Sequence, residues 1–239
     1  METRELVKKD ISRIREAIEN KKFCHQAKWH LRLFDERFEE ARELNAEFRR
    51  IQDKVDGAVM VAPEFFDGLG PVTTRYNYDT FIYLYHDYPE LMHELLKAHC
   101  DYQLFRIDSF GGPELSPVAL MGTAVSGTGG LIFSPSFLHR EFFPFAQKIV
   151  DKLKEKGYRV MFEMEGDVRV VLNDIVKTGT DAYTPVEELS GMSGEWIKEK
   201  YPRLVLAQMI DSAQLLTYGK KNEVVKKTKD IIELTRKNG

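Results

Sequence analysis

The spacing of apolar positions changes near residue 57. Upstream, Val7, Ile11, Ile14 and Ile18 recur at helical intervals, and Leu31, Phe34, Phe38, Ala41, Leu44, Phe48, Ile51 and Val55 repeat the pattern. Charged side chains fill the other positions, so residues 1–56 read as amphipathic helices that need something to pack against. A larger body is the expected support, with a coiled-coil dimer as the alternative. Over residues 57–239, short apolar runs alternate with helical stretches. Strands are predicted at Ala58–Ala62, Pro117–Ala124, Tyr158–Glu165, Asp181–Pro185 and Leu204–Ile210. Helices are predicted near Pro89–Asp108, Pro135–Lys156, Val168–Lys177, Gly194–Lys200 and Asn222–Lys237. Ser134 supplies an N-cap ahead of Pro135, and Gly157, Gly179 and Gly219 read as stops. Strands each followed by a helix make parallel βαβ units, in a doubly wound sheet or a (β/α)8 TIM-type barrel. In either arrangement ligands bind at the carboxyl ends of the strands.

Polar residues at those ends are therefore the candidates for chemistry. The segment from Tyr158 to Asp167 finishes with Glu163, Glu165 and Asp167. Strand alternation sends Glu163 and Glu165 to one side. Crowded carboxylates raise at least one pKa, which suits acid–base work, a cation or a basic ligand. The bland alternative is a solvated strand end with an acidic residue capping the next helix. Tyr183 and Glu187 follow the next strand, and Gln208, Asp211 and Ser212 the last. Glu163 and Glu165 are the expected catalytic pair, with Glu187 and Asp211 orienting substrate. Tyr183, Gln208, Ser212, Phe133 and Asp167 complete the candidate substrate-binding set.

Composition narrows the field modestly. The 239 residues suffice for one large α/β domain, and 43% hydrophobic with 31% charged residues is ordinary for a globular chain. A net charge of -3 gives no pull towards nucleic acid or an acidic membrane surface, and no apolar run suits a membrane span or a secretory signal. Cys24 and Cys100 are the only cysteines, without metal-ligand spacing, which fits a reducing cytoplasm. The glycine-rich stretch from Gly122 to Gly130 lacks the lysine and spacing of a phosphate-binding loop, so a flexible loop lining the site is expected. His86, His93 and His99 do not share a helix face and give no readable zinc triad. Arg75 and Arg169 read as surface residues.

The span Gly127–Glu233 resembles the C-terminal half of uroporphyrinogen decarboxylase-like proteins. The similar pieces run in order: Gly130 to Pro144 with its Ser-Pro step, Lys154 to Phe162 leading into Glu-Met-Glu-Gly-Asp, Gly179 to Glu187, Ser190 to Ser193, and Ile210 to Leu216. Gly70-Pro71 and the Asp87 to Met92 stretch extend the likeness more loosely. The resemblance implies a (β/α)8 barrel and, from its methyltransferase branch, methyl transfer between a small substrate or a thiol and a corrinoid carrier protein. Decarboxylation of a polycarboxylate such as a tetrapyrrole, or a scaffold role without catalysis, are the alternatives. Methyltransferase relatives place a His and a Cys two apart where this chain has Glu163 and Glu165, and carboxylates at both positions could still ligate zinc. The strands predicted here are fewer than a closed barrel needs. A second copy, a partner chain or the N-terminal helices are therefore expected to cover the gap.

Overall fold

The computed structural model describes residues 2–22, 41–123, 125–127 and 129–236. Leu31, Phe34, Phe38 and Cys24 lie outside them. The amphipathic start is α1 (Glu2–Glu19), whose Val7, Ile11 and Ile14 are fully or nearly buried. This stripe lies on α5 (Pro89–Ser109), so the helix uses a larger body as its apolar partner. Asp10, on the same helix, is wholly buried. It accepts from Arg75 Nε, from Arg75 Nη2 at 2.9 Å and from the Tyr76 hydroxyl at 2.6 Å, both residues lying in α3 (Leu69–Tyr76). Arg75 is thus a buried-pair residue rather than a surface one; its isolated charge in the sequence concealed a partner 65 positions away. The second helix, α2 (Ala41–Val55), adds Phe48 edge-on to Phe110 at 5.0 Å.

Five parallel strands form the sheet: β1 (Glu64–Phe66), β2 (Val118–Gly122), β5 (Arg159–Glu163), β6 (Ala182–Thr184) and β7 (Val205–Leu206), in that spatial order. Their order never reverses, which marks an arc of a barrel and sets the chain apart from a doubly wound sheet, whose strand order turns back at a switch point. The arc shows five strands among the described residues, so a closed barrel is not what these residues build. Between β2 and β5 the glycine-rich stretch makes a small antiparallel pair, β3 (Ser126–Gly127) with β4 (Gly130–Leu131).

Register sorts the side chains into two faces. Phe65, Met121, Phe162, Tyr183 and Leu206 align across the sheet and are buried towards the helices. The opposite, concave face carries two rows: Glu64, Leu120, Met161, Ala182 and Val205, and above it Phe66, Gly122, Glu163 and Thr184. Partners in register point the same way because a strand alternates every residue.

Three predicted boundaries move. The run Ala58–Ala62 is not a strand: Val59 and Met60 are over half exposed, and the Gln52 side chain bonds Val59 O and Val61 N. The strand begins two residues after that run, at Glu64. The helix predicted over Pro135–Lys156 is two, α6 (Pro135–Glu141) and α7 (Phe143–Glu155), which meet at Phe142. Pro144 lacks the N–H that would carry one helix through. The helix expected from Val168 starts only at Leu172, as α8 (Leu172–Lys177). The segment between β1 and α5, left unassigned by periodicity, folds as α3 and α4 (Tyr78–Asp87), Asn77 capping the latter by accepting from Thr80 N at 2.9 Å. Beyond β6 lie α9 (Gly194–Lys200), α10 (Leu215–Tyr218) and α11 (Lys221–Thr235).

Candidate functional site

At the carboxyl ends of β1, β2 and β5, a cleft of about 410 Å³ is lined by Glu64, Phe66, Tyr78, Thr123, Ser126, Glu163 and Glu165. Glu64 and Glu163 belong to strands that do not touch; β2 runs between them. They meet because the position separating them is Gly122. A Cβ there would lie 2.8 Å from Glu64 Oε1, 3.1 Å from Glu163 Oε2 and 3.1 Å from the Phe66 ring. A residue with any side chain would hold the two carboxyls apart.

Burial and the facing charge of Glu163 push the Glu64 carboxyl up to about 7, against a smaller opposing pull from the Arg106 guanidinium. Glu163 is also raised, by burial and then by the charge of Glu165, while its hydrogen bond with Glu64 pulls it down. Both carboxyls are thus pushed towards their protonated forms. Two carboxylates this close cannot both ionise cheaply, and the pair holds one proton near neutral pH.

Asp67 lies immediately after β1. It is wholly buried; its Oδ1 accepts from Leu69 N and from Gly70 N at 3.0 Å at the start of α3. Burial lifts it to about 6, partly offset by those amides and by the Thr123 hydroxyl. Among the described residues, the Ser126 hydroxyl, which lines the cleft, is a buried atom that completes no hydrogen bond. Buried polar atoms are ordinarily satisfied, so one that lines a cleft is a mark of a site. Gly166, with φ +78, lets the backbone after β5 come against Gly127: a Cβ there would sit 1.9 Å from Gly127 O, so only glycine allows the β3–β4 pair to fold over the cleft.

The sequence-predicted residues divide clearly. Glu163 and Glu165 do line one cleft. Glu187 does not join them; its Oε2 accepts from Gly166 N at 2.7 Å and so shapes the loop after β5. Tyr183 points to the helix side, where its buried hydroxyl donates to Met164 O at 2.7 Å. Asp211 accepts from Ala213 N and Gln214 N at the entry to α10 and borders a different hollow, with Glu223 and Tyr218. Gln208 is exposed and accepts from the Thr184 hydroxyl at 2.8 Å, Ser212 is exposed, and Asp167 is bonded to Arg169 at 2.6 Å. Phe133 packs among Tyr78, Phe81 and Phe137 behind the cleft wall. Glu64, Asp67, Tyr78, Thr123 and Ser126 were missed. Their available signal was the pair of acids flanking Phe65-Phe66, overshadowed by the more apolar run just upstream.

The cleft's donors do not fit zinc. No His or Cys lines it, and among the described residues no three of His, Cys, Asp or Glu are grouped to hold a metal ion. No helix among the described residues is long and apolar enough to cross a membrane.

Raised carboxyl pKa values have a stability consequence. The unfolded chain releases the Glu64 proton near 4.5 and the folded chain near 7, so between those values the folded state holds the extra proton. Stability therefore falls as pH rises through that window and stays reduced above it. Glu64→Gln, which keeps a hydrogen-bond donor without the charge, is expected to stabilise the chain by about 1–3 kcal/mol at pH 8 and by much less at pH 4.5. Urea unfolding at the two pH values checks this; equal effects at both would show that Glu64 titrates normally.

Five parallel strands in unreversed order, with Glu64 and Glu163 meeting across Gly122, define the molecule structurally. No known protein-family profile matches the chain, and no curated protein matches it by sequence. Among solved structures it is similar in fold to a methyltransferase from Methanosarcina mazei, with TM-score 0.67 and 16% identity. The match covers 82% of this chain and 57% of that one, so the likeness takes in little more than half of the neighbour's length.

Proposed function

We propose that the chain is an enzyme that moves a methyl group from a small substrate to a nucleophilic acceptor, with the Glu64–Glu163 pair managing the proton at the departing heteroatom. The meeting of the two carboxyls across Gly122 carries this reading. In the step, the acceptor, as a thiolate or a reduced corrinoid, uses an electron pair to form the new bond to the methyl carbon. The carbon–heteroatom bond breaks towards the heteroatom, which takes the proton from Glu64 and leaves neutral. The pair is left with two negative charges, and a proton from solvent restores it. A group poised near 7 is suited to give and regain a proton at neutral pH. The methyltransferase neighbour supports a fold able to host such chemistry. The acceptor in this proposal is a thiol or the corrinoid of a carrier protein, as the sequence resemblance implies.

The test is to incubate the full chain with methylated amines, methyl thioethers and methanol, offering a thiol or a reduced corrinoid as acceptor, and to follow the demethylated product by mass spectrometry. Turnover of one donor is expected. Absence of product from every donor with both acceptors would overturn the proposal.

A further inference from the structure

We propose that Ser126 binds the substrate, its hydroxyl donating a hydrogen bond to the departing heteroatom of an uncharged molecule whose methyl group sits on oxygen or sulfur. This rests on the reading of the cleft as the methyl-transfer site and names its substrate class. Ser126 lines the cleft together with Glu64 and Glu163, and its Oγ is closed off from solvent and completes no hydrogen bond among the described residues. A hydroxyl buried without a partner is costly, and a bound molecule that supplies the partner removes the cost. Of the other hydroxyls on the lining, the Tyr78 phenol is engaged with Thr73 and the Thr123 hydroxyl with Asp67. Backbone pairing fixes the place of the serine. Val125 O accepts from Ile132 N at 3.0 Å, Ser126 stands opposite Leu131, and Gly127 is packed against Gly166. One torsion separates the oxygen from that backbone, so it can turn to a bound molecule without moving the hairpin.

The class of substrate follows from two groups acting on one atom. In the proposed step the heteroatom keeps the electron pair of its bond to methyl and takes a proton from Glu64. An alcohol or ether oxygen, or a thioether sulfur, has two lone pairs, one for that proton and one for the Ser126 hydrogen bond. A neutral amine has a single lone pair, which cannot serve both. A protonated or quaternary amine has none, and its charge would favour the ionised form of Glu64 and so remove the proton that the step uses. As the bond breaks, methanol leaves as water, a methyl ether as an alcohol and a methyl thioether as a thiol. Negative charge growing on the heteroatom before the proton arrives is met by the Ser126 hydroxyl. Phe66 and Tyr78 supply apolar wall for the methyl group, and the cavity of about 410 Å³ suits a molecule of a few heavy atoms.

2-Methoxyethanol and 1-butanol are the probes, because they have the same chain length and differ only in an ether oxygen against a methylene. Each is titrated against the full chain with no methyl acceptor present, and binding is followed by saturation-transfer NMR. 2-Methoxyethanol is expected to bind about three- to tenfold more tightly, the worth of one hydrogen bond. Ser126→Ala is expected to abolish that preference and to leave 1-butanol binding unchanged. The unchanged 1-butanol binding shows at the same time that the cleft is intact, and the variant breaks no hydrogen bond within the chain. In the transfer assay, methanol or a methyl thioether is expected to react and methylated amines are not. Equal binding of the two probes by the wild type, or a preference that survives Ser126→Ala, overturns the role of Ser126; product in the transfer assay would then leave the proposed activity standing. Reaction of methylated amines alone overturns the substrate class. A preference that is lost with the hydroxyl, with no product from any methyl donor, keeps Ser126 as a binding residue and overturns methyl transfer.

Discussion

Replacing Glu163 by Gln is expected to lower methyl transfer about 10²–10⁴-fold, the range that a positioned proton-transfer group contributes. The amide has the shape of the carboxyl but cannot serve as the negative partner that accepts from Glu64. Burial would still raise Glu64, but the part of the shift that comes from the Glu163 charge would go, so the corresponding limb of the variant's pH profile should move to lower pH. Gly122→Ala is the sharper control because it touches neither acid chemically. Its methyl would enter the space between the two carboxyls, 2.8 Å from one and 3.1 Å from the other. Displacing reacting groups by about 1 Å costs on the order of 10²-fold. Comparing kcat for wild type, Glu163→Gln and Gly122→Ala with each protein folded by circular dichroism checks the pair. A Gly122→Ala enzyme with wild-type turnover would show that contact between Glu64 and Glu163 plays no part in the reaction.

Why one member of this pair was readable and the other was not has a physical reason. Glu163 stands at the end of a strand with five residues, flanked by apolar Val160 and Phe162 that announce its period. Glu64 opens a strand of three residues in which only Phe65 faces the helices, too short for alternation to show. The neighbouring Ala58–Ala62 run is more apolar, but its Val59 and Met60 are over half exposed and only Val61 packs on the core. Adjacent strands and their order cannot be read from periodicity either, and the contact depends on a glycine in a third strand. Parallel βαβ architecture, by contrast, is local information. The helices at Pro89 and Gly194 and the strands β2, β5 and β6 fall where hydrophobic spacing and punctuation set them, while β7 keeps only Val205–Leu206 of the run Leu204–Ile210. Glu187 and Asp211 follow strand ends as the pattern indicated, yet they are engaged by backbone amides, Glu187 by Gly166 in the loop after β5 and Asp211 by Ala213 in its own loop. A strand end brings a side chain to the rim; local hydrogen bonding decides whether it stays free to face the cleft. A corrinoid carrier, zinc and a covering partner chain were expected from resemblance and strand count. Of these, the carrier belongs to the proposed reaction, and the donor set of the cleft does not suit zinc.

Arg75→Met is expected to destabilise the fold by about 3–5 kcal/mol, the cost of leaving one member of a buried ion pair behind. The burden falls on Asp10, which has no exposure and would retain only the Tyr76 hydroxyl at 2.6 Å. Arg75 is itself one-fifth exposed, so water can recover part of the loss on that side but not for Asp10. Urea unfolding at pH 7 measures the effect. The double variant Asp10→Leu with Arg75→Met supplies the decisive comparison. Apolar replacement of a whole buried pair is often neutral, so the double variant should recover most of the lost stability. That outcome would place α1 within the cooperative unit that carries the cleft, since the pair joins α1 to α3, and α3 begins at the residues that hold Asp67. If Arg75→Met unfolds with an unchanged midpoint, the N-terminal helix is docked by its Val7, Ile11 and Ile14 stripe alone, and the ion pair contributes orientation without stability.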